Sequence, residues 1–237
     1  MSNSIATALE PVAYSKSSAQ FVEIYNAKKL SDKSGADWDD KTNPLLIELK
    51  REIKNHYLKV QAYTCAYCQQ KIIVDHNGAW DTEHIAPRES YPSFMFVPEN
   101  LCVSCKDCNG AKSNKPVLAN RSRRTFPRHS KDYTICHPHF DIYSKHIRVI
   151  GEAVLYLPRT KKGQALIEMC GLLRFVYGFA DYEISDLNFG TKVVALGTEL
   201  QNAQSAFEQI AIAQILKTML DEGLRGAALK QLKQMEL

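Results

Sequence analysis

A carboxylate and an imidazole lie side by side in the segment WDTEHIAP, residues 80–87. Glu83 supplies a hard oxygen donor of the kind that Mg²⁺ or Mn²⁺ prefers. His84, with an ordinary imidazole pKa near ~6.5, can accept a proton from water at cellular pH. Adjacent strand residues point to opposite faces, so we expect the two side chains to have different roles.

Two CxxC pairs flank this segment: Cys65 with Cys68, and Cys105 with Cys108. Each pair can present two thiolates to one tetrahedral Zn²⁺, and the sequence therefore predicts a structural zinc site. The odd total of seven cysteines, with no export signal in view, favours metal ligation over disulfides. Cys102 could replace Cys105 or Cys108, but we favour the latter two because they flank a turn into a helix. Four buried free cysteines are the alternative.

A second metal site is predicted beside the zinc. Asn109 follows the zinc ligand Cys108 at the start of a predicted helix and offers an amide oxygen. Together with Glu83 it makes a two-oxygen site with room for water and phosphate, which suits magnesium or manganese better than zinc. Asp81 lies on the face of Glu83, where it either helps to bind the ion or to orient a bound water, or is an exposed strand residue.

The elements that position these residues follow from local patterns. Asn43 is a plausible N-cap with Pro44 at the first helical position, and apolar residues at helical spacing predict a helix from Pro44 to about Tyr63. Two β-prone runs on either side of Asn77-Gly78 predict a hairpin whose second strand carries Glu83 and His84.

A short strand is predicted over 101–103, followed by a helix that starts near Cys108. The central segment is therefore predicted to be α+β. We expect three regions: an N-terminal extension (1–43), a core with its leading helix and basic segment (44–131), and a mainly helical region (132–237). In the last region we expect Gly223 to interrupt a long apolar stripe before a final short helix.

Basic residues are concentrated directly after the cysteines. Between 106 and 131 there are eight, with Asp107 as the one acid, although the net charge of the whole chain is only +4. This concentration of positive charge suits binding to a polyphosphate backbone. The alternative is that the segment is a solvated loop. The residues expected to contact nucleic acid are Lys106, Lys112, Lys115, Arg121, Arg123 and Arg124.

The composition is that of an ordinary soluble protein, with 45% hydrophobic and 24% charged residues. We find no apolar run long enough for a membrane span and no secretory signal, so we expect no membrane association and a cytoplasmic location. A further cluster has His137, His139 and Asp141 at alternate positions. A second metal site is one interpretation of this cluster, and packing or phosphate contact is the favoured one.

The order CxxC, DTEHIAP, ENLCVSCKDCNGAK, over residues 62–116, resembles the HNH family of metal-dependent endonucleases. The resemblance implies a ββα-metal core, here held by a four-cysteine zinc site within a mainly helical chain. It further implies that His84 is the general base and that Glu83 and Asn109 bind the catalytic ion. Asn100 would brace the His84 loop through backbone hydrogen bonds. Asn109 replaces the histidine found in many members, which favours magnesium over zinc or nickel.

The leading helix, the EHIAP variant and the helical C-terminal half also resemble a branch of HNH nucleases encoded beside an ATPase in prokaryotic anti-phage systems such as Septu. This resemblance implies a DNA endonuclease with an ATPase partner that docks on the helical region. One alternative is a nuclease with the same chemistry that acts on RNA or tRNA instead of DNA. A zinc-ribbon module that binds nucleic acid without cutting it is the alternative from another class.

Overall fold

The computed structural model describes residues 8–74, 77–150, 155–177 and 187–235. Helices and small sheets are mixed along them, in agreement with the predicted α+β class. The chain divides into two compact units, the first ending at Tyr143 and the second starting at Ser144. None of the helices in the described ranges combines the length and the apolar character needed to cross a membrane.

Two helices open the first unit: α1 (Lys16–Ala27), which we did not predict, and α2 (Pro44–Val60). The predicted start of α2 is confirmed, because the Asn43 side chain accepts hydrogen bonds from the backbone N–H groups of Leu45 and Leu46, the second and third residues of the helix. The helix ends before the predicted Tyr63 because Ala62 and Tyr63 adopt positive φ angles of 48° and 56°. The helix contacts α1 and the two strands that follow, and its buried residues are Leu46, Leu49, Ile53, Tyr57 and Leu58.

The predicted hairpin around Asn77-Gly78 is wrong. Strand β1 (Trp80–His84) instead pairs antiparallel with β2 (Leu101–Cys105), and residues 77–79 form a short 3₁₀ turn. The first β-prone run contributes only an isolated bridge at Lys71, and residues 75–76 lie outside the described residues. Burial explains the outcome, since every residue of β2 is buried whereas Ile73 in the rejected run is 74% exposed.

Helix α3 (Lys106–Lys112) follows β2 without a loop and begins two residues before the predicted Cys108. The C-terminal end of β2 and the N-terminal end of α3 are therefore adjacent, next to the paired strand β1. Both strands contact α3, and β1 and β2 also contact α2.

The second unit is mainly helical, with one strand pair that we did not predict. After α4 (Tyr143–His146), β3 (Ile147–Ile150) pairs antiparallel with β4 (Leu155–Pro158). The helices that follow are α5 (Lys161–Met169), α6 (Arg174–Tyr177), α7 (Leu187–Gln201) and α8 (Ala206–Met235). Its core joins β4 to α7 and α8 through Leu155, Leu157, Phe189, Leu196, Ile212, Ile215 and Met219.

The predicted break at Gly223 does not occur, because α8 continues through it to Met235. A glycine within a helix costs only about 1 kcal/mol relative to alanine, so the packing of the long helix outweighs it.

Asn43→Ala should lower the free energy of unfolding by about 0.5–2 kcal/mol, because the N-cap hydrogen bonds of α2 are lost. Urea denaturation measures the change. Asn43→Asp is the matched control, since its carboxylate can still accept both bonds. Equal stability of Asn43→Ala and the wild type would contradict the role of the cap.

Candidate active site and metal centre

The four cysteines of the two CxxC pairs come together in the first unit. The sulfurs of Cys65, Cys68, Cys105 and Cys108 all lie within 4.8 Å of one another, and all four residues are buried. In a tetrahedral zinc site with bonds of about 2.3 Å, sulfurs are about 3.8 Å apart. The Sγ atoms of Cys68 and Cys105 are 3.9 Å apart, which fits this geometry.

Burial raises the pKa of the Cys65 thiol well above its ordinary value. Four thiols packed this closely cannot all ionise unless a cation compensates their charge, and a zinc ion would supply that charge. The structure thus bears out a cysteine cluster that can hold a metal. We assign Cys65, Cys68, Cys105 and Cys108 as the set that would bind zinc.

The choice of Cys105 and Cys108 over Cys102 is confirmed, since Cys102 is outside the cluster. The reason is the alternation of a strand. Cys102 and Cys105 are three positions apart on β2, so their side chains leave opposite faces. Cys102 lies directly across from Glu83 in the strand register instead.

Glu83 is almost completely buried, and two donors hold its carboxylate. The Tyr67 hydroxyl donates to Oε1 at 3.1 Å, and the Lys112 ammonium lies 2.5 Å from the same oxygen. Burial raises the pKa of Glu83, and Lys112 and Tyr67 oppose that rise. Because both contacts fall on Oε1, the other oxygen, Oε2, remains for a ligand that approaches from the side on which Glu83 lines a cleft.

His84 is fixed by two contacts. Its Nε2 lies 3.1 Å from the carbonyl oxygen of Met95, and the imidazole packs edge-to-face with the Trp38 ring, with centroids 4.6 Å apart. A carbonyl can only accept, so Nε2 carries the proton and Nδ1 keeps its lone pair. Burial lowers the pKa of His84 to about 3, so the ring is neutral at cellular pH.

Asn100 ties down the loop that follows His84. Its side-chain amide donates to the carbonyl oxygens of Ala86 and Phe94, each at 3.1 Å, and its oxygen accepts from Ala86 N at 2.7 Å. Its own backbone oxygen accepts from Ile85 N at 2.8 Å. These contacts are of the kind that the HNH resemblance implied for this residue.

Asn109, in α3, meets Asp81 on β1. The Asn109 amide nitrogen donates to Asp81 Oδ2 at 2.9 Å, which leaves the amide oxygen free of that contact. The other oxygen of Asp81, Oδ1, lies 3.7 Å from the ammonium of Lys106. Asp81 therefore orients Asn109 and is not merely an exposed strand residue.

A cleft of about 680 Å³ runs past these groups, and Asp81, Glu83, His84 and Asn109 all line it. The structure thus brings together the residues that the sequence singled out, and the imidazole borders an open volume. Carboxylate and amide oxygens beside a neutral imidazole are donors that suit a magnesium or manganese ion. If such an ion binds, Glu83 and Asn109 are the residues that would hold it, with Asp81 beside them.

Lys112 requires a correction. We predicted that it contacts nucleic acid, but its side chain is completely buried and bonded to Glu83 and to the backbone oxygen of His84 at 3.1 Å. It lies on the inward face of α3 and has no surface from which to reach a phosphate.

The other predicted contacts with nucleic acid are at least partly exposed. Lys106 pairs with Asp81, and Arg123 pairs with Asp132 at 2.9 Å. Lys115, Arg121 and Arg124 are exposed. None of the six predicted residues lines the cleft.

Sequence reasoning missed two groups that line the cleft. One is Trp38, which contacts His84. The other is a set of cations, Lys50, Arg51 and Lys54 on α2 together with Arg88. The signal was available in the polar face of α2, where basic residues recur one helical turn apart.

The cluster His137, His139 and Asp141 is buried in the first unit. The ring nitrogens of His139 lie 3.1 Å from the carbonyl oxygen of Leu9 and 2.8 Å from that of Leu101. The Asp141 carboxylate accepts from the backbone N–H of His137 at 2.8 Å. These contacts favour the packing interpretation over phosphate contact.

Part of the chain is similar to the Septu protein PtuB of Bacillus thuringiensis, with 31% identity over 91 residues. The match covers 37% of this chain and 35% of PtuB, so the chain spans about a third of the length of that relative. No protein-family model and no solved structure matches the chain. The comparison supports a distant relationship to a Septu protein, and the HNH likeness remains one of motifs.

Cys68→Ser should abolish zinc binding and destabilise the first unit, because three sulfurs remain for a four-coordinate ion. Metal analysis by mass spectrometry and thermal unfolding measure the two effects. Cys102→Ser is the matched control, a buried thiol outside the cluster that should leave the zinc content unchanged. A stable, zinc-free Cys68→Ser protein would contradict the structural role of the metal.

Lys112→Met should lower the free energy of unfolding by about 3–5 kcal/mol, because the buried Glu83 carboxylate loses its counter-charge. The double variant Glu83→Gln, Lys112→Met removes both charges and should recover part of the loss, as urea denaturation can show. If the single and double variants were equally stable, the ion pair would not be the cause.

Proposed function

We propose that this chain is a divalent-metal-dependent endonuclease with an HNH-type site that hydrolyses phosphodiester bonds in DNA. One observation carries the proposal: Glu83, His84 and Asn109 border the same open cleft. Oxygen donors for a hard cation and an unprotonated imidazole therefore line one cleft. Hydrolysis of a phosphodiester needs both kinds of group.

His84 is the general base in this proposal. The carbonyl of Met95 fixes the tautomer through Nε2, and Trp38 holds the plane of the ring. Nδ1 is then the atom that takes a proton from a water molecule in the cleft. The water oxygen attacks phosphorus, the bond from phosphorus to the 3′ oxygen breaks, and the 3′ oxygen takes up a proton from solvent, which leaves 5′-phosphate and 3′-hydroxyl ends.

The lowered pKa of His84 keeps the base in its unprotonated form before substrate binds. A bound phosphodiester would bring negative charge close to the ring. That charge favours the protonated imidazole and so assists the transfer of the proton to Nδ1.

Glu83 and Asn109 are the residues that would hold the ion, through the carboxylate oxygen Oε2 and the amide oxygen. When bound, a magnesium or manganese ion supplies a Lewis acid that stabilises the negative charge developing on the phosphate and the leaving oxygen. Neighbouring side chains orient these two residues. Lys112 and Tyr67 contact the Glu83 carboxylate, and Asp81 accepts a hydrogen bond from the Asn109 amide.

The biological setting that we propose is antiviral defence. The chain is a distant relative of a Septu protein, and its motif order resembles nucleases that are encoded beside an ATPase in such systems. We propose an ATPase partner that docks on the helical second unit and controls cleavage.

His84→Ala should reduce the rate of DNA cleavage by about 10²- to 10⁴-fold, because general-base assistance is lost. Nicking of plasmid DNA with magnesium or manganese, followed on gels, measures the rate. His129→Ala is the matched control, since His129 is exposed and does not line the cleft. Full activity of a folded, zinc-loaded His84→Ala protein would remove His84 from the mechanism.

The same assay separates the alternatives. The purified protein is incubated with plasmid DNA or total RNA, with magnesium or with EDTA, alone and together with any protein encoded beside it. Cleavage of RNA alone indicates an RNA-directed nuclease. Salt-sensitive binding without metal-dependent cleavage in any combination indicates the binding module.

A further inference from the structure

Four cations line the same cleft as the proposed active site. Lys50, Arg51 and Lys54 come from adjacent turns of α2, and Arg88 comes from the loop after β1. We call these four residues the α2 wall. The acidic groups Asp81 and Glu83 come from β1, so charges of opposite sign enter the cleft from different elements.

Backbone carbonyls hold two cations of the wall in place. Lys50 Nζ donates to the carbonyl oxygen of Trp38 at 3.0 Å and lies 5.1 Å from the centre of the Trp38 ring. Lys54 Nζ donates to the carbonyl oxygen of Trp80 at 2.7 Å. A carbonyl positions an ammonium without cancelling its charge, and an ammonium has three donors.

Partial burial lowers the pKa values of both Lys50 and Lys54. Burial disfavours the charged form, and an anion placed in the cleft would restore it. Lys50 and Lys54 are also four positions apart on α2, a rise of about 6 Å along the helix. This spacing arranges them along an extended anion rather than around a single group.

We infer that the α2 wall is the main surface that binds the phosphate backbone of the nucleic acid substrate at this site. It takes the place of the basic segment between 106 and 131 that the sequence suggested. Pairing with carboxylates does not distinguish the two sets, since Lys106 and Arg123 pair with acids in the segment and Arg51 and Arg88 pair with acids in the wall. The difference is position, because Lys112 is buried and none of the six residues predicted in the segment lines the cleft. The α2 wall instead borders the volume that a scissile phosphate must enter.

The α2 wall would bind the nucleic acid strand through the negative charge of its phosphates, independently of the base sequence. Lysine and arginine contacts to phosphates carry no direct information about the bases. Each phosphate contact on duplex DNA contributes about 0.9 to the negative slope of log affinity against log salt concentration.

The experiment measures DNA binding by fluorescence anisotropy across a salt series, in the full chain with His84→Ala present so that no substrate is cut. Adding Arg51→Gln and Lys54→Gln should flatten the salt slope by about 1.8, or about 0.9 for each contact. Arg51→Gln alone should flatten it by about 0.9. The single variant is the safer test of folding, because the one contact described for Arg51 is an exposed pair with Glu48.

Two control variants carry the same change of charge elsewhere. Lys59→Gln lies on α2 but does not line the cleft, and it should leave the slope unchanged. Lys115→Gln with Arg124→Gln removes two exposed charges of the basic segment and should change the slope by less than the α2 pair does. An unchanged slope in the folded Arg51→Gln, Lys54→Gln protein overturns the inference, whatever the basic-segment variant does.

The inference rests on the proposed function only for the kind of ligand, and the two can fail separately. If the wild-type protein binds DNA through the wall but cuts no nucleic acid, the endonuclease proposal fails and the wall stands. If the wild type cuts DNA and the wall variants bind with an unchanged salt slope, the inference about the wall fails and the endonuclease proposal stands.

Discussion

The four-cysteine cluster is the constraint on which the candidate site depends. The strand pair β1–β2 has only two strands, and such a pair is marginally stable by itself. Cys65 and Cys68 come from the turn after α2, whereas Cys105 ends β2 and Cys108 lies within α3. A metal bound by these sulfurs would join the helix, the strand and the following helix at one point, and so set the direction in which α3 leaves the strand.

The direction of α3 matters because two residues of that short helix complete the site. Asn109 reaches Asp81, and Lys112 reaches Glu83 and the backbone of His84. A buried ion pair adds little net stability, since the loss of hydration offsets the attraction between the charges. Its value here is in geometry: Lys112 occupies one oxygen of Glu83 and leaves the other to the cleft.

Predictions from the sequence succeeded where the cause lies within a few residues. The start of α2 follows from Asn43 and Pro44, and the exclusion of Cys102 follows from strand alternation. The predictions failed where the outcome depends on burial or on pairing with a distant part of the chain. The partner of β1 lies some twenty residues further along the chain, whereas the turn signal at Asn77-Gly78 precedes β1. Likewise, no local pattern distinguishes Lys112, which points inward, from the exposed lysines around it.

Helix α2 shows why the basic segment was misleading as a guide to the substrate. Local charge density says how many cations a stretch carries, but only the fold says which of them border the reacting groups. The apolar face of α2 packs on the strands, and the same helix therefore carries its polar face to the edge of the cleft. Packing that supports the strand pair thus also delivers Lys50 and Lys54 to the proposed substrate. On this view the acidic groups of β1 serve a cation and the basic groups of α2 serve a phosphate backbone, and one packing interaction places both.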